Sequence, residues 1–381
     1  MNGVGMTQRL RWLGIVVAPL VLTGLLAPPA AADVSTVAKI IQEPGEYEAR
    51  FPDVLKLRDG RLMAVWHRAT AHAGSVGTIQ LSFGSADGRK WSENPTPALA
   101  NPGTMAGIDT RDPKLGMMPD GSVLMTFFVP GGKVYYSVWK PGWTRFTDPV
   151  RLTAPGIDVG IYSHGSPLAL ADSGSQTDQV LIPIYTVDND QTGYKGGAHF
   201  IRATYRPTGD PRLVVSSAHQ IIGNANPPGR KYFEPSFVQY GNTVVTVVRS
   251  EQNGGGSPAI VVRWNPYTAT PAYEYQSFSD VHANSHHLLK TASGRLLFTY
   301  GDRARTGRPT VGMMIGNPTA DWTKGKVLPI YDSGAQDQAN PSSVEIGTGT
   351  FLTLAYNAKP KTSDPKYGGT LWVVQSQAAD Y

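Results

Sequence analysis

Apolar residues along this chain fall in short runs separated by compact polar turns. In LKLRDGRLMAVW, residues 55 to 66, one apolar stretch leads into Asp59-Gly60 and a second leads out. Asp-Gly favours the tight turn of a β-hairpin, so two antiparallel strands are predicted there. The same design returns in KLGMMPDGSVLMTFF (114–128), PLALADSGSQTDQVLIPIY (167–185), SFVQYGNTVVTVV (236–248), HLLKTASGRLLFTY (287–300) and SSVEIGTGTFLTLAY (342–356). Six copies at intervals of roughly 50 to 70 residues mark a repeat architecture. Six sheets of about four strands each would fill the chain, which predicts an all-β fold, a six-bladed β-propeller. A β-sandwich carrying coincidental hairpins is the alternative.

The N-terminus follows a different pattern. Arg9 and Arg11 precede an apolar run from Leu13 to Ala27, then Pro28-Pro29-Ala30-Ala31-Ala32. A basic start, a short apolar core and an Ala-x-Ala end predict a secretory signal peptide over residues 1–32, cut after Ala32. The run is shorter than the ~20 residues a membrane span needs. The expected product is a secreted, extracellular, single-domain protein over residues 33–381, with 381 − 32 = 349 residues and no linker dividing it. The signal carries two Arg and no other charged residue, so the net charge falls from +5 to +3. The chain has no cysteine, which excludes disulfides and thiolate chemistry, and a chain this long buries a large core without them. No phosphate-binding Gly loop, nucleotide fingerprint or basic stripe appears, so neither a cofactor nor a nucleic acid is expected. A monomer is expected.

Polar residues recur just before each hairpin, usually beside a proline: ARFPD, TRDPK, SHGSP, FEPS, ANSHH and ANPSS. In a propeller the equivalent positions of all blades converge on the central axis. The expected ring is Arg50, Arg111 with Asp112, His164, Glu234, His286 with His287, and Asn340. Polar loops that merely start strands would look similar one at a time. Arg68 follows the first hairpin, Arg249 ends the fourth, and Arg303, Arg305 and Arg308 follow the fifth. Guanidinium groups bind carboxylates bidentately, so a cluster of them beside two carboxylates points to a carboxylate-bearing ligand. The run HANSHH, 282–287, is not read as a metal site, because it precedes a strand and no second cluster completes a ligand set.

These residues, in this order, resemble the sialidase superfamily over nearly the whole mature chain. SADGRKW, Ser85 to Trp91, is similar to the Asp-box (BNR) turn of sialidase-type propellers, with a degenerate echo in NPTADW, Asn317 to Trp322. Arg50-Phe51-Pro52 stands where the family has Arg-Ile-Pro, whose Arg begins a triad that grips the substrate carboxylate. Glu234, with Arg249 fifteen residues later, is similar to the catalytic Glu and second triad Arg. Arg308 matches the third member best, with Arg303 as substitute. Arg68 and Asp112 fall where these enzymes place further pocket residues.

The chain also departs from that pattern. ANPSSV puts Asn340 or Pro341 where the family's nucleophilic Tyr stands. ATAHAG offers only His72 near the general-acid position. The remaining chemistry is glycoside hydrolysis by two carboxyl groups, Glu234 as base or nucleophile-activating residue and Asp112 as acid or ligand, with His72 as a second candidate acid. Tyr232 and Tyr331 are candidate displaced phenols, with structural packing the preferred role. The expected activity is hydrolysis of an extracellular, acidic glycan. The substrate-binding set is Arg50, Arg68, Arg111, Arg249, Arg303, Arg308, His164, His286 and Asn340. The alternatives are a carbohydrate-binding propeller without catalysis and a structural or protein-binding propeller.

Overall fold

Each predicted hairpin forms the inner half of an antiparallel sheet. The computed structural model describes residues 1, 34–172, 175–224, 229–334, 337–358 and 367–381, and the expected signal peptide lies outside these residues apart from Met1. Blade 1 runs outward through Glu48–Lys56, Leu62–Ala69, Thr78–Gly84 and Thr96–Pro97. Blade 2 begins with Arg111–Met117 and Val123–Val129, blade 4 with Arg230–Tyr240 and Thr243–Gln252, and blade 5 with Ala283–Lys290 and Leu296–Asp302. The inner edge of blade 3 is split into Ile161–Ser163 and Leu168–Asp172, both paired with the long strand Ser175–Thr186. The six sheets make the six-bladed propeller.

The sequence pattern did not reveal how the circle closes. Ser35–Pro44 becomes the outermost strand of blade 6, beside Tyr367–Gln377, Thr350–Asn357 and Ser342–Gly347. The first and last strands of the described residues therefore share one sheet. Glu43 on this closing strand accepts from Trp66 Nε1 at 3.1 Å and from Arg68 Nε at 2.7 Å, which ties blade 6 to blade 1.

Sheet alternation is weak here because most sheets are covered on both faces. Every residue of Val123–Val129 is buried. Its two faces feed two core clusters, one shared with blade 1 through Val65 and Leu81, the other with blade 3 through Val180 and Ile182. A strand buried on both faces reads as a continuous apolar run. The turn at Ser85 to Trp91 is held by Lys90 N–H donating to Ser85 Oγ and Trp91 Nε1 donating to the Gly88 carbonyl at 2.8 Å.

Four blades share a backbone irregularity at the axis. Between Arg50↔His67 and Asp53↔Val65, two residues of the inner strand oppose one of its neighbour, and the same β-bulge recurs at Arg111/Lys114, Phe233/Ser236 and Asn284/His287. The first bulged residue is left-handed in each: Phe51 (φ 51°), Asp112 (49°), Glu234 (54°) and Ser285 (44°). Gly165 (φ 80°) is left-handed in the broken inner edge of blade 3. A non-glycine residue in this region costs roughly 1–3 kcal/mol, and such strain concentrates where a side chain must be aimed.

Candidate functional site

The bulges aim their side chains at one cavity. Phe51, Asp112, Glu234 and Ser285 all line a cavity of ≈ 320 Å³, with Arg111, Asn284 and Ala339 from flanking positions. Arg249 reaches it from the second strand of blade 4, Arg308 from the loop after Leu296–Asp302, His72 from the loop after Leu62–Ala69, and Asp337 from the segment before blade 6. Phe128, Tyr162 and Tyr185 complete the wall. A larger cleft of ≈ 540 Å³ between the outer strands of blades 3 and 4 contains Tyr273 and Tyr275 but no carboxylate, so the smaller, charged cavity is the candidate for chemistry.

Two carboxyl groups in the cavity are driven in opposite directions. Burial lifts Asp112 from 3.8 to about 6, against the pull of Arg111 and Lys114 and with the added repulsion of Glu234. Burial also opposes ionisation of Glu234, but Arg249, followed by His164 and His286, outweighs it and holds the group at about 2. Arg249 Nη1 donates to Glu234 Oε1 at 2.6 Å, and Ser285 N–H donates to Oε2 at 3.0 Å. Two carboxyl groups whose environments separate their acidities are suited to acid and base roles. His72 is lowered to about 4 by burial and by the charges of Arg50 and Arg111, so at neutral pH it is an uncharged imidazole.

Asn340 lies beneath the cavity floor and holds Asp112 in place. Its Nδ2 donates to Asp112 Oδ1 at 3.1 Å, and its Oδ1 accepts from Lys114 Nζ at 2.9 Å. His164 and His286 are also buried, their rings 5.8 Å apart, and His286 Nε2 lies 2.9 Å from the Val247 carbonyl. His287 is half-buried, with Nδ1 accepting from Ser343 N–H at 3.3 Å. Burial pushes the imidazolium form of all three down, to about 4 for His286 and about 3 for His287.

The arginines separate into three groups. Arg111, Arg249 and Arg308 line the cavity. Arg50 is buried behind it, ion-paired with Glu48 and Asp337. Arg68 pairs with Glu43 and lies 3.6 Å from the Tyr47 ring centre, away from the cavity, and Arg303 is bound to Glu251, which also holds Arg249. Arg305 pairs with Asp302 at 3.1 Å. Tyr232 lies in the core shared by blades 3 and 4, and Tyr331 packs against the small core of Ile330, Ala355 and Val374.

Sequence reasoning missed Phe51, Phe128, Tyr162, Tyr185, Asn284, Ser285 and Asp337. A usable signal existed for two of them: Phe51 precedes Pro52 as Asp112 precedes Pro113 and Glu234 precedes Pro235, and Ser285 occupies the same bulge position. Tyr162 and Tyr185 look like core residues by pattern, yet they stack with ring centres 5.3 Å apart on the cavity wall. Among the described residues no cluster of metal-binding side chains occurs and no helix is long and apolar enough to cross a membrane.

No family model and no curated protein matches the sequence. Solved structures do match. A protein of unknown function from Dyadobacter fermentans is 18% identical with a TM-score of 0.70, over 90% of this chain and 99% of that one. The Hadza microbial sialidase Hz136 is 13% identical with a TM-score of 0.61, over 86% of this chain and 65% of its own. The NanB sialidase from Streptococcus pneumoniae is 11% identical with a TM-score of 0.65, over 91% and 71%. This chain thus spans about two thirds of the length of those two sialidases. At these identities the likeness concerns architecture, and the chain has the sialidase-like six-bladed β-propeller fold.

Proposed function

We propose that this protein is a secreted, sialidase-like glycoside hydrolase that acts on a carboxylate-bearing extracellular glycan. The observation that carries the reading is the pair of carboxyl groups held apart in acidity, Asp112 at about 6 and Glu234 at about 2, in one cavity with Arg111, Arg249 and Arg308. Protonated Asp112 gives its proton to the leaving glycosidic oxygen as the bond to the anomeric carbon breaks. A water then bonds to that carbon and passes its proton toward Glu234. Glu234 is a weak base while Arg249 holds it. A substrate carboxylate that takes over part of Arg249 relaxes that hold and raises its basicity. Arg111 and Arg308 place the sugar acid, and Asn340 and Lys114 keep Asp112 aimed.

One observation favours a second reading, a carbohydrate-binding propeller without catalysis. The position of the family nucleophile carries Asn340-Pro341, and Tyr185, a phenol on the cavity wall, has its ionisation pushed well up by burial and by Glu234 and Asp112. The test is hydrolysis by the purified mature protein of a fluorogenic sialoside and a panel of acidic and neutral glycans, with Glu234→Gln alongside. The hydrolase reading expects a loss of at least a hundredfold in the variant. Equal glycan binding by both proteins with no turnover by either establishes the binding module instead.

A further inference from the structure

Two arginines at equivalent bulge positions, Arg50 in blade 1 and Arg111 in blade 2, meet opposite surroundings. Arg50 is satisfied from within. Its Nε donates to Glu48, its Nη1 is ion-paired with Asp337, and its side chain is 6% exposed. Asp337 is fixed in turn. Its Oδ1 accepts from Tyr356 Oη at 2.9 Å, and its Oδ2 lies 2.7 Å from His72 Nδ1. Asp337 and His72 line the cavity, whereas Arg50 stands behind them.

Arg111 is bound far less tightly. Its carboxylate neighbour, Asp109, reaches it only through Oδ2 at 3.9 Å, beyond hydrogen-bond range, while Oδ1 is engaged with His67 Nε2 at 2.8 Å. Arg111 Nε is buried with no hydrogen-bond partner among the described residues. The guanidinium lies 5.4 Å from the centre of the Phe51 ring and 5.6 Å from that of Phe128. Such cation–π contacts hold a guanidinium without consuming its donors. A half-buried cation with an unmet donor, on the wall of a cavity, is a site for an anion.

We propose that Asp337 sets the cavity's selectivity: it occupies Arg50 in the manner of a ligand carboxylate, so that a sugar acid docks its carboxylate on Arg111 and turns a hydroxyl-bearing edge toward Asp337. An ionised carboxylate offers about four acceptor positions. Three are taken by Arg50, His72 and Tyr356, and the side chain, 25% exposed and part of the cavity lining, keeps one for a donor. A second carboxylate on that side of the sugar meets like charge and is rejected. The ligand class is therefore a sugar carrying one carboxylate, with hydroxyl groups on the opposite edge. This rests on the glycan-binding part of the proposed function and not on turnover.

The experiment is calorimetric titration of the mature protein with three probes: glucuronate, N-acetylneuraminate and methyl galactoside. The variants are Arg111→Gln, Arg111→Lys, Asp337→Asn and Glu234→Gln, each checked for folding by circular dichroism and thermal melting. In the wild type at least one acid probe should bind more tightly than methyl galactoside. Arg111→Gln should weaken that acid probe by at least tenfold. Asp337→Asn removes the charge that neutralises Arg50 and repels a carboxylate, and should strengthen acid probes by about tenfold while leaving methyl galactoside equal or weaker. Arg111→Lys keeps the charge without the fork and separates a folding defect from a lost contact, with an expected partial loss. Glu234→Gln reports on the hydrolase reading by its turnover, whereas Arg111 and Asp337 are read by binding alone. Acid binding that survives Arg111→Gln, acid binding that Asp337→Asn leaves unchanged or weaker, or no acid binding to the wild type each overturns the proposal.

Discussion

Asp112→Asn removes a charge that the fold holds at a cost, and the cost has a pH signature. Asp112 is raised from an ordinary 3.8 to about 6, chiefly by burial. At about 1.4 kcal/mol per pH unit, the ionised form destabilises the folded protein by about 3 kcal/mol. The folded state therefore binds the proton more tightly than the unfolded chain. The penalty is absent below about pH 3.8, grows as pH rises toward 6, and is complete above it. Asparagine fits the same site, because its Oδ1 can still accept from Asn340 Nδ2. At pH 8 the variant should be more stable than the wild type by up to about 3 kcal/mol, and at pH 4 nearly equal to it. For about 349 residues with about 2.1 cal/mol/K of unfolding entropy each, that difference is a rise in Tm of about 4 °C. Thermal unfolding of both proteins at pH 4 and pH 8 measures it. A variant whose Tm shift is the same at both pH values, or negative at pH 8, refutes the argument that Asp112 is held against its own charge. A gain in stability with a loss of turnover would place Asp112 among groups kept for function at the expense of the fold.

Two further outcomes are expected. If Asp112 is the proton donor, kcat/KM on a cleaved glycan should decline tenfold per pH unit above about pH 6, and Asp112→Asn should abolish that limb, as a pH–rate profile from 4 to 9 will show. Gly165→Ala should lower Tm and turnover together, because a Cβ there lies 2.5 Å from the Pro235 carbonyl next to Glu234, at φ +80°. Strain and overpacking of this kind cost about 2–4 kcal/mol, and an unchanged Tm would show that blades 3 and 4 are not closely packed at this point.

The architecture was legible because each blade writes its inner hairpin in the sequence, and the turn residues punctuate it. Asp59-Gly60 is a turn in the structure, with Gly60 left-handed at φ 87°. The closing strand was not legible, since Ser35–Pro44 pairs with Tyr367–Gln377 from the other end of the chain. No local pattern encodes a partner more than three hundred residues away. The double burial of strands such as Val123–Val129 also erased the alternation that would have told one face from the other.

The site was legible to within one residue, and that residue is informative. Reading the charged side chain in each motif selects Arg50 in ARFPD and His286 in ANSHH, whereas the cavity is lined by their neighbours Phe51 and Ser285. A strand alternates faces, so a slip of one position exchanges cavity for packing. The bulge decides which position wins, and it does so through a left-handed residue, in three blades directly before proline. Proline disfavours the helical region for the residue before it, so sequence rules argue against the conformation that those three bulges adopt. Arg50 and Arg111 show the remaining limit. They occupy one register, one bulge position and one residue type, yet Asp337 covers the first and two phenylalanine rings present the second. Only the folded chain, which brings Asp337 from a segment 287 residues after Arg50, distinguishes a guanidinium that is already bound from one still able to bind.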